Sequence, residues 1–331
     1  MGLMFPLKYK YTTPVLFLLS IGLVIAQMIL DDADDVALWA NWLFAGVMSA
    51  GIWYVTKRHH LCDIYEGRSL TISWPILSAC LNFSLCHIPN TEHFYLGLLS
   101  LVAMLSALAL LLSVWQDTNS VGRFMLVGLI AGLVSTLLPQ ALLWLVLLPL
   151  ITYHMRSWSL RNVFSTITGA AWGIWFVYCC LFLLEYVQDE TAASSLWLTA
   201  DQMIRNYAEL FNVTDYETLI AGFGLWHWLF LALIALLVLV YSISAMFLNV
   251  GNSIRAGASI SLVSSFSLFL VALSFLDIAH LSIYLSLLSF FLCIQLMIHQ
   301  ANLRTAFNEW WTLIIILSMM ILTALPLFFT F

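Results

Sequence analysis

Charge is what this chain has least of. It carries 11 Lys and Arg and 17 Asp and Glu in 331 residues, 8% of the total, against 63% apolar residues and a mean hydropathy of +1.00. Soluble domains run nearer 25% charged. A water-soluble globule of this composition is excluded, because it has too few polar groups to cover its surface. Disorder is excluded as well, since disordered chains are poor in apolar residues. The net charge of -6 excludes a nucleic-acid partner, which needs a basic surface. The six cysteines (Cys62, Cys80, Cys86, Cys179, Cys180 and Cys293) form no CxxC pair, so neither a zinc site nor a disulfide framework is expected. Walker A, GxSxG and HExxH motifs are missing. No Asp, Glu, Lys or Arg falls in the middle of an apolar run, which argues against a pump or channel with a buried charge relay.

What the chain does have is long apolar runs. A spanning helix needs about 20 such residues. Eleven candidates occur, at 14–30, 36–56, 71–88, 94–115, 122–138, 140–155, 162–186, 223–248, 256–276, 281–298 and 311–330. They lack the alternation of β-barrel strands, and helices satisfy their own backbone in lipid. The expected fold is therefore all-α, a polytopic transmembrane bundle of about eleven spans in a single integral membrane domain, 1–331. The first run follows Lys8 and Lys10 and has no small-x-small cleavage site behind it, so it reads as an uncleaved span.

Residues 122–155 are either a hairpin of two short helices or one broken span. With a hairpin and a cytoplasmic N-terminus, Lys8, Lys10, Lys57, Arg58, Arg68, Arg123, Arg156, Arg161, Arg255 and Arg304 all face the cytoplasm, and only Arg205 faces out. A single span would move four arginines outside. The positive-inside rule thus favours eleven spans, with the C-terminus outside. One long connector, 187–222, then lies on the outer face. Met203, Ile204, Tyr207, Leu210 and Phe211 have helical spacing in it, which predicts short interfacial helices and a docking surface for a protein partner.

Four features stand out against this background. Asp31, Asp32, Asp34 and Asp35 put four carboxylates in five residues after the first span. They are candidates for a divalent-cation site or a catalytic base in an enzyme acting on lipid-linked substrates. The alternative is a solvated acidic loop that stops the first helix. Gly128-x-x-x-Gly132 and Gly169-x-x-x-Gly173 allow close helix approach, either within the chain or in a dimer. Gln27, Asn41, Asn82, Gln140, Tyr178, Gln295 and the serines of 259–267 either line a cavity or bond between helices. Arg156 and Arg161 are expected to contact anionic lipid headgroups.

The stretch Arg123-Phe124 to Gly128 and on through Gly132 to Pro139, followed by Met155-Arg156-Ser157-Trp158-Ser159-Leu160-Arg161-Asn162, resembles an uncharacterised family of polytopic inner-membrane proteins of Bacteroidota. The likeness runs over about 60–310, including Asn249 to Arg255. It implies a bacterial inner-membrane location and a multi-pass topology, without an activity. More faintly, the hairpin is similar to the paired short helices of polyprenyl-phosphate-dependent glycosyltransferases, which also carry outer-face acids after the first helix.

Three functions are consistent with this sequence. The first is an accessory or assembly component of the cell envelope, with the lipid bilayer and a protein at 187–222 as partners. The second is a glycosyltransferase-like membrane enzyme using the four aspartates, with a divalent cation as cofactor. The third is a lipid or solute transporter.

Overall fold

A computed structural model of the chain describes residues 12–30, 35–59, 61, 66–88, 91–187, 200–208, 225–247, 254–276, 280–302 and 306–329. Every regular element among them is helical. In chain order these are α1 (Thr12–Leu30), α2 (Asp35–Arg58), α3 (Glu66–His87), α4 (Thr91–Leu112), α5 (Val121–Ser135), a 3-10 helix (Pro139–Leu147), α6 (Leu148–His154), α7 (Leu160–Val187), α8 (Ala200–Ala208), α9 (Leu225–Phe247), α10 (Ile254–Leu276), α11 (Leu281–Asn302) and α12 (Ala306–Phe329). Nine of the described helices, α1 to α4, α7 and α9 to α12, are long and apolar enough to cross a membrane. The chain is a multi-pass helical membrane protein. The remaining two sequence candidates, 122–138 and 140–155, take the form of α5 and of the 3-10 helix continued by α6.

The helices group into two compact units, Met1–Leu101 with Asp215–Phe331 and Val102–Thr214, with the division inside α4. In the first unit α11 is the central element, and nearly all its side chains are buried. Side-chain contacts fix the helix directions. Ser69 Oγ reaches Met297 Sδ at 2.8 Å near one end of α3, and Ser84 bonds Ser282 near the other, so α3 and α11 are antiparallel. Arg68 pairs with Glu309 and Thr323 Oγ1 donates to the Ala79 carbonyl, so α12 runs with α3. Phe230 stacks on Phe83 while Tyr241 meets His299, so α9 runs with α11.

Indole groups tie α1, α2 and α3 together. Trp42 Nε1 donates to Ser20 Oγ (3.1 Å), Trp74 Nε1 donates to the Trp42 carbonyl (3.0 Å), and Phe17 lies edge-on to Trp74 at 4.3 Å. A methyl group at Gly46 would meet the Trp74 ring at 2.7 Å, so glycine makes room for the indole. Trp42 and Trp74 thus have their N–H groups bonded inside the unit.

The second unit is organised by glycine. A methyl at Gly128 would overlap the Thr166 carbonyl, and one at Gly132 the Ala170 carbonyl; Gly169 faces Met125 and Gly173 faces Leu129 in the same way. The two GxxxG motifs therefore pack α5 against α7 inside the chain. Contact partners rise together along both helices, which makes α5 and α7 parallel. Parallel neighbours need a return path, and residues 136–159 supply it. Nine residues of 3-10 helix at about 2.0 Å each and seven of α-helix at 1.5 Å cover roughly 28 Å. The return ends where α5 begins: Gln116 N donates to the Met155 carbonyl (3.0 Å), and Arg123 Nη1 donates to the Ser113 carbonyl (2.7 Å).

Gly132→Leu should force the α5 and α7 backbones apart at Ala170 and destabilise the chain by roughly 1–3 kcal/mol. Thermal unfolding in detergent checks this, with Gly122→Leu, where a methyl meets nothing within 4 Å, as the neutral comparison.

Candidate functional site

Among the described residues, polar groups that could carry function occur in both units. In the first unit they line the interior around α11. Gln295 Nε2 donates to Ser242 Oγ (2.6 Å) on α9 and to Ser267 Oγ (2.7 Å) on α10. The two hydroxyls lie 2.7 Å apart and also reach the Val238 and Ser264 carbonyls of their own helices. Two hydroxyl hydrogens thus have three places to go, and both amide hydrogens are used. The result is an uncharged cross-link of three helices, with Gln295 fully buried.

Towards the α3 N-terminus, Arg68 Nη2 lies 3.1 Å from Glu309 Oε1, with side chains 13% and 0% exposed. Gln300 Nε2 donates to the Asn308 carbonyl (2.9 Å) and to Thr312 in the same region. In the sequence Arg68 counted only as one of the basic residues expected on the cytoplasmic side, and Glu309 did not stand out. The only available signal was that both sit within four residues of a helix start, and pairing them required knowing that α3 and α12 are parallel neighbours.

In the second unit the notable place is the α6–α7 connector. Met155 N, Arg156 N and Ser157 N close back on the carbonyls of Ile151, Tyr153 and Thr152, and Arg156 adopts φ 51°, a left-handed position usually filled by glycine. Its guanidinium lies 5.9 Å from the Trp115 ring centroid. Arg156 and Arg161 are exposed, with Trp158 and Tyr153 exposed beside them. Pro149, Leu150, Tyr153 and Trp158 line an open apolar groove of about 420 Å³ at this place. The connector thus combines two exposed cations with an apolar slot.

At the opposite end of α5 sits α8, the described part of the 187–222 connector. Met203 is buried and Tyr207 Oη lies 2.8 Å from Ser135 Oγ, while Ile204 and Arg205 are exposed. Burial pushes the Tyr207 phenol up, against a smaller opposing effect of the Ser135 bond, so it stays protonated near neutral pH. Leu210 and Phe211, expected on the same face, lie outside the described residues.

No family model, curated protein or solved structure matches the chain. What the protein does has to be read from its own side chains.

Of the four aspartates, Asp31, Asp32 and Asp34 lie outside the described residues, and Asp35 is the first residue of α2. Among the described residues no three His, Cys, Asp or Glu side chains converge as metal ligands would. Gln27, Asn41, Asn82 and Gln295 are all buried in the first unit. A cavity of about 130 Å³ between α9, α10 and α11, lined by Trp228, Leu231, Phe275, Leu285 and Leu288 among others, is almost wholly apolar.

Removing Arg68 alone (Arg68→Met) leaves Glu309 buried without its countercharge and should cost about 3–5 kcal/mol. The double variant Arg68→Met, Glu309→Leu should recover most of that. A double-mutant cycle on thermal stability measures the difference, and additive losses would mean that the two groups do not act as a pair.

Proposed function

We propose that this protein is an accessory or assembly component of a bacterial inner membrane, seated by anionic lipid at Arg156 and Arg161. It binds the transmembrane helix of a partner along α7. The observation that carries the reading is the tryptophan-rich face of α7 at mid-depth. Trp172 (57% exposed), Trp175 (60%) and Phe176 (63%) stand roughly 18–24 Å from the Leu160 end of the helix. Tryptophan facing lipid belongs at the membrane–water interface, where its N–H finds water. In the hydrocarbon centre it is better served by a protein surface that packs the ring and accepts its hydrogen bond. Trp175 lies across the helix from the Gly169 and Gly173 stripe that holds α5, while Trp172 and Phe176 lie beside that stripe.

Topology is part of the proposal. Within the first unit Lys57, Arg58, Arg68 and Arg255 belong to the same end of the helices, and within the second Arg123, Arg156 and Arg161 do so. Both ends face the cytoplasm by the positive-inside rule. With the return segment counted as a crossing, the chain has eleven spans, an inner N-terminus and an outer C-terminus.

A photo-crosslinking residue at Trp175 in native membranes should capture one protein partner in defined stoichiometry. The same residue at the exposed Leu43 of α2 should capture lipid alone. Lipid adducts at both positions would overturn the partner reading. For topology, a cysteine at Leu137, in a variant with its own cysteines replaced, should react with an impermeant maleimide added from outside. A site closed from that side would reduce the hairpin to a re-entrant element.

A further inference from the structure

The seam between α1 and α3 is built in polar layers, and the outermost one is not closed by protein. Thr13 Oγ1 lies 2.8 Å from Thr71 Oγ1, and Phe17 packs on Trp74. The two helices are therefore parallel, offset by 57 to 58 positions. Thr13, Ser20 and Gln27 recur every seven residues on α1, and Thr71 and Ser78 have the same spacing on α3, with Asn82 one turn further. The first layer is closed by the threonine pair. In the second, Ser20 accepts from Trp42 Nε1 and donates to the Phe17 carbonyl.

The third layer differs. Extending the register puts Val24 level with Asn82 and Gln27 one turn beyond. Gln27 and Asn82 are both 0% exposed, and none of their four amide atoms has a protein partner. Ser78 Oγ, one turn back from Asn82 and level with Ser20, is also fully buried and has none. Among the described residues no other buried carboxamide lacks a partner on both atoms.

Buried amide groups in native proteins are satisfied by protein or by ordered water. Here the groups are uncharged and offer donors and acceptors together. A cation would use the two carbonyl oxygens and leave the N–H groups unmet. Complete burial restricts the occupant to something very small. The layer lies roughly 5–8 Å from the ends of α1 and α3, close enough for exchange with interfacial water. We infer that the Gln27–Asn82 layer of the α1–α3 seam is an internal water site, in which ordered water bridges the two carboxamides.

Radiolytic footprinting of the full chain in H2(18)O tests this directly, because a bound water labels the buried side chains it touches. The expected result is label on Val24, 0% exposed and level with Asn82, at doses that leave Leu287 and Ile294 of α11 unlabelled. Absence of label at Val24 would overturn the site.

Thermal stability gives a second reading. Asn82→Leu alone strands Gln27 and its water, and should lower the unfolding midpoint by roughly 2–4 °C. Adding Gln27→Met should restore it. If each substitution instead raises the midpoint independently, the amides were never bridged. Co-purification of a small organic molecule that is lost in Asn82→Leu would overturn water in favour of a solute.

Discussion

Hydrocarbon offers no hydrogen bonds, and that constraint shapes every part of this protein. Helices are the local answer, because they close their own backbone groups. The side chains need a second answer, and the first unit gives it repeatedly. Gln295 is held between Ser242 and Ser267, Gln300 is held by Asn308 and Thr312, and many buried serines bond the carbonyl three or four residues back on their own helix. Each such contact is worth little against a fully satisfied alternative, but leaving the group unmet costs several times more. The polar interior thus fixes which helices are neighbours and in what register.

The second unit meets the constraint through the backbone. Four glycines bring α5 and α7 so close that no side chain fits between them, and van der Waals contact replaces the hydrophobic effect as the cohesive force. The parallel arrangement then requires the chain to double back. The 3-10 helix does this with few residues, at the expense of poorer hydrogen-bond geometry. Arg156 in a left-handed conformation ends that return and starts α7. An exposed cationic turn next to an apolar groove follows from the same connection.

The interior is close to neutral. Its one described ion pair, Arg68 with Glu309, sits near the helix starts rather than at mid-depth. Charge at that depth is tolerable because the partner is adjacent and the Arg68 side chain keeps a fraction of its surface accessible. Functional specificity in such an interior comes from placement of amides and hydroxyls and from the helix faces left uncovered, such as that of α7, where Trp172 and Trp175 stand at mid-depth.

The sequence by itself determined the class, because composition and run length are one-dimensional quantities that lipid reads directly. It also marked nine of the crossing segments, the glycine motifs, and the buried set Gln27, Asn41, Asn82 and Gln295. It could not say what those groups meet. The pairing of Arg68 with Glu309 spans 241 positions of chain, and the Gln295 cross-link draws on three helices, so neither leaves a local trace. The segment 140–155 reads as an ordinary apolar run, since 3-10 and α-helix share their residue preferences there. Only tertiary structure decided its form, because the parallel packing of α5 on α7 is what demands a return of that length. The four aspartates remain a property of the sequence, their roles resting on composition and position rather than on contacts.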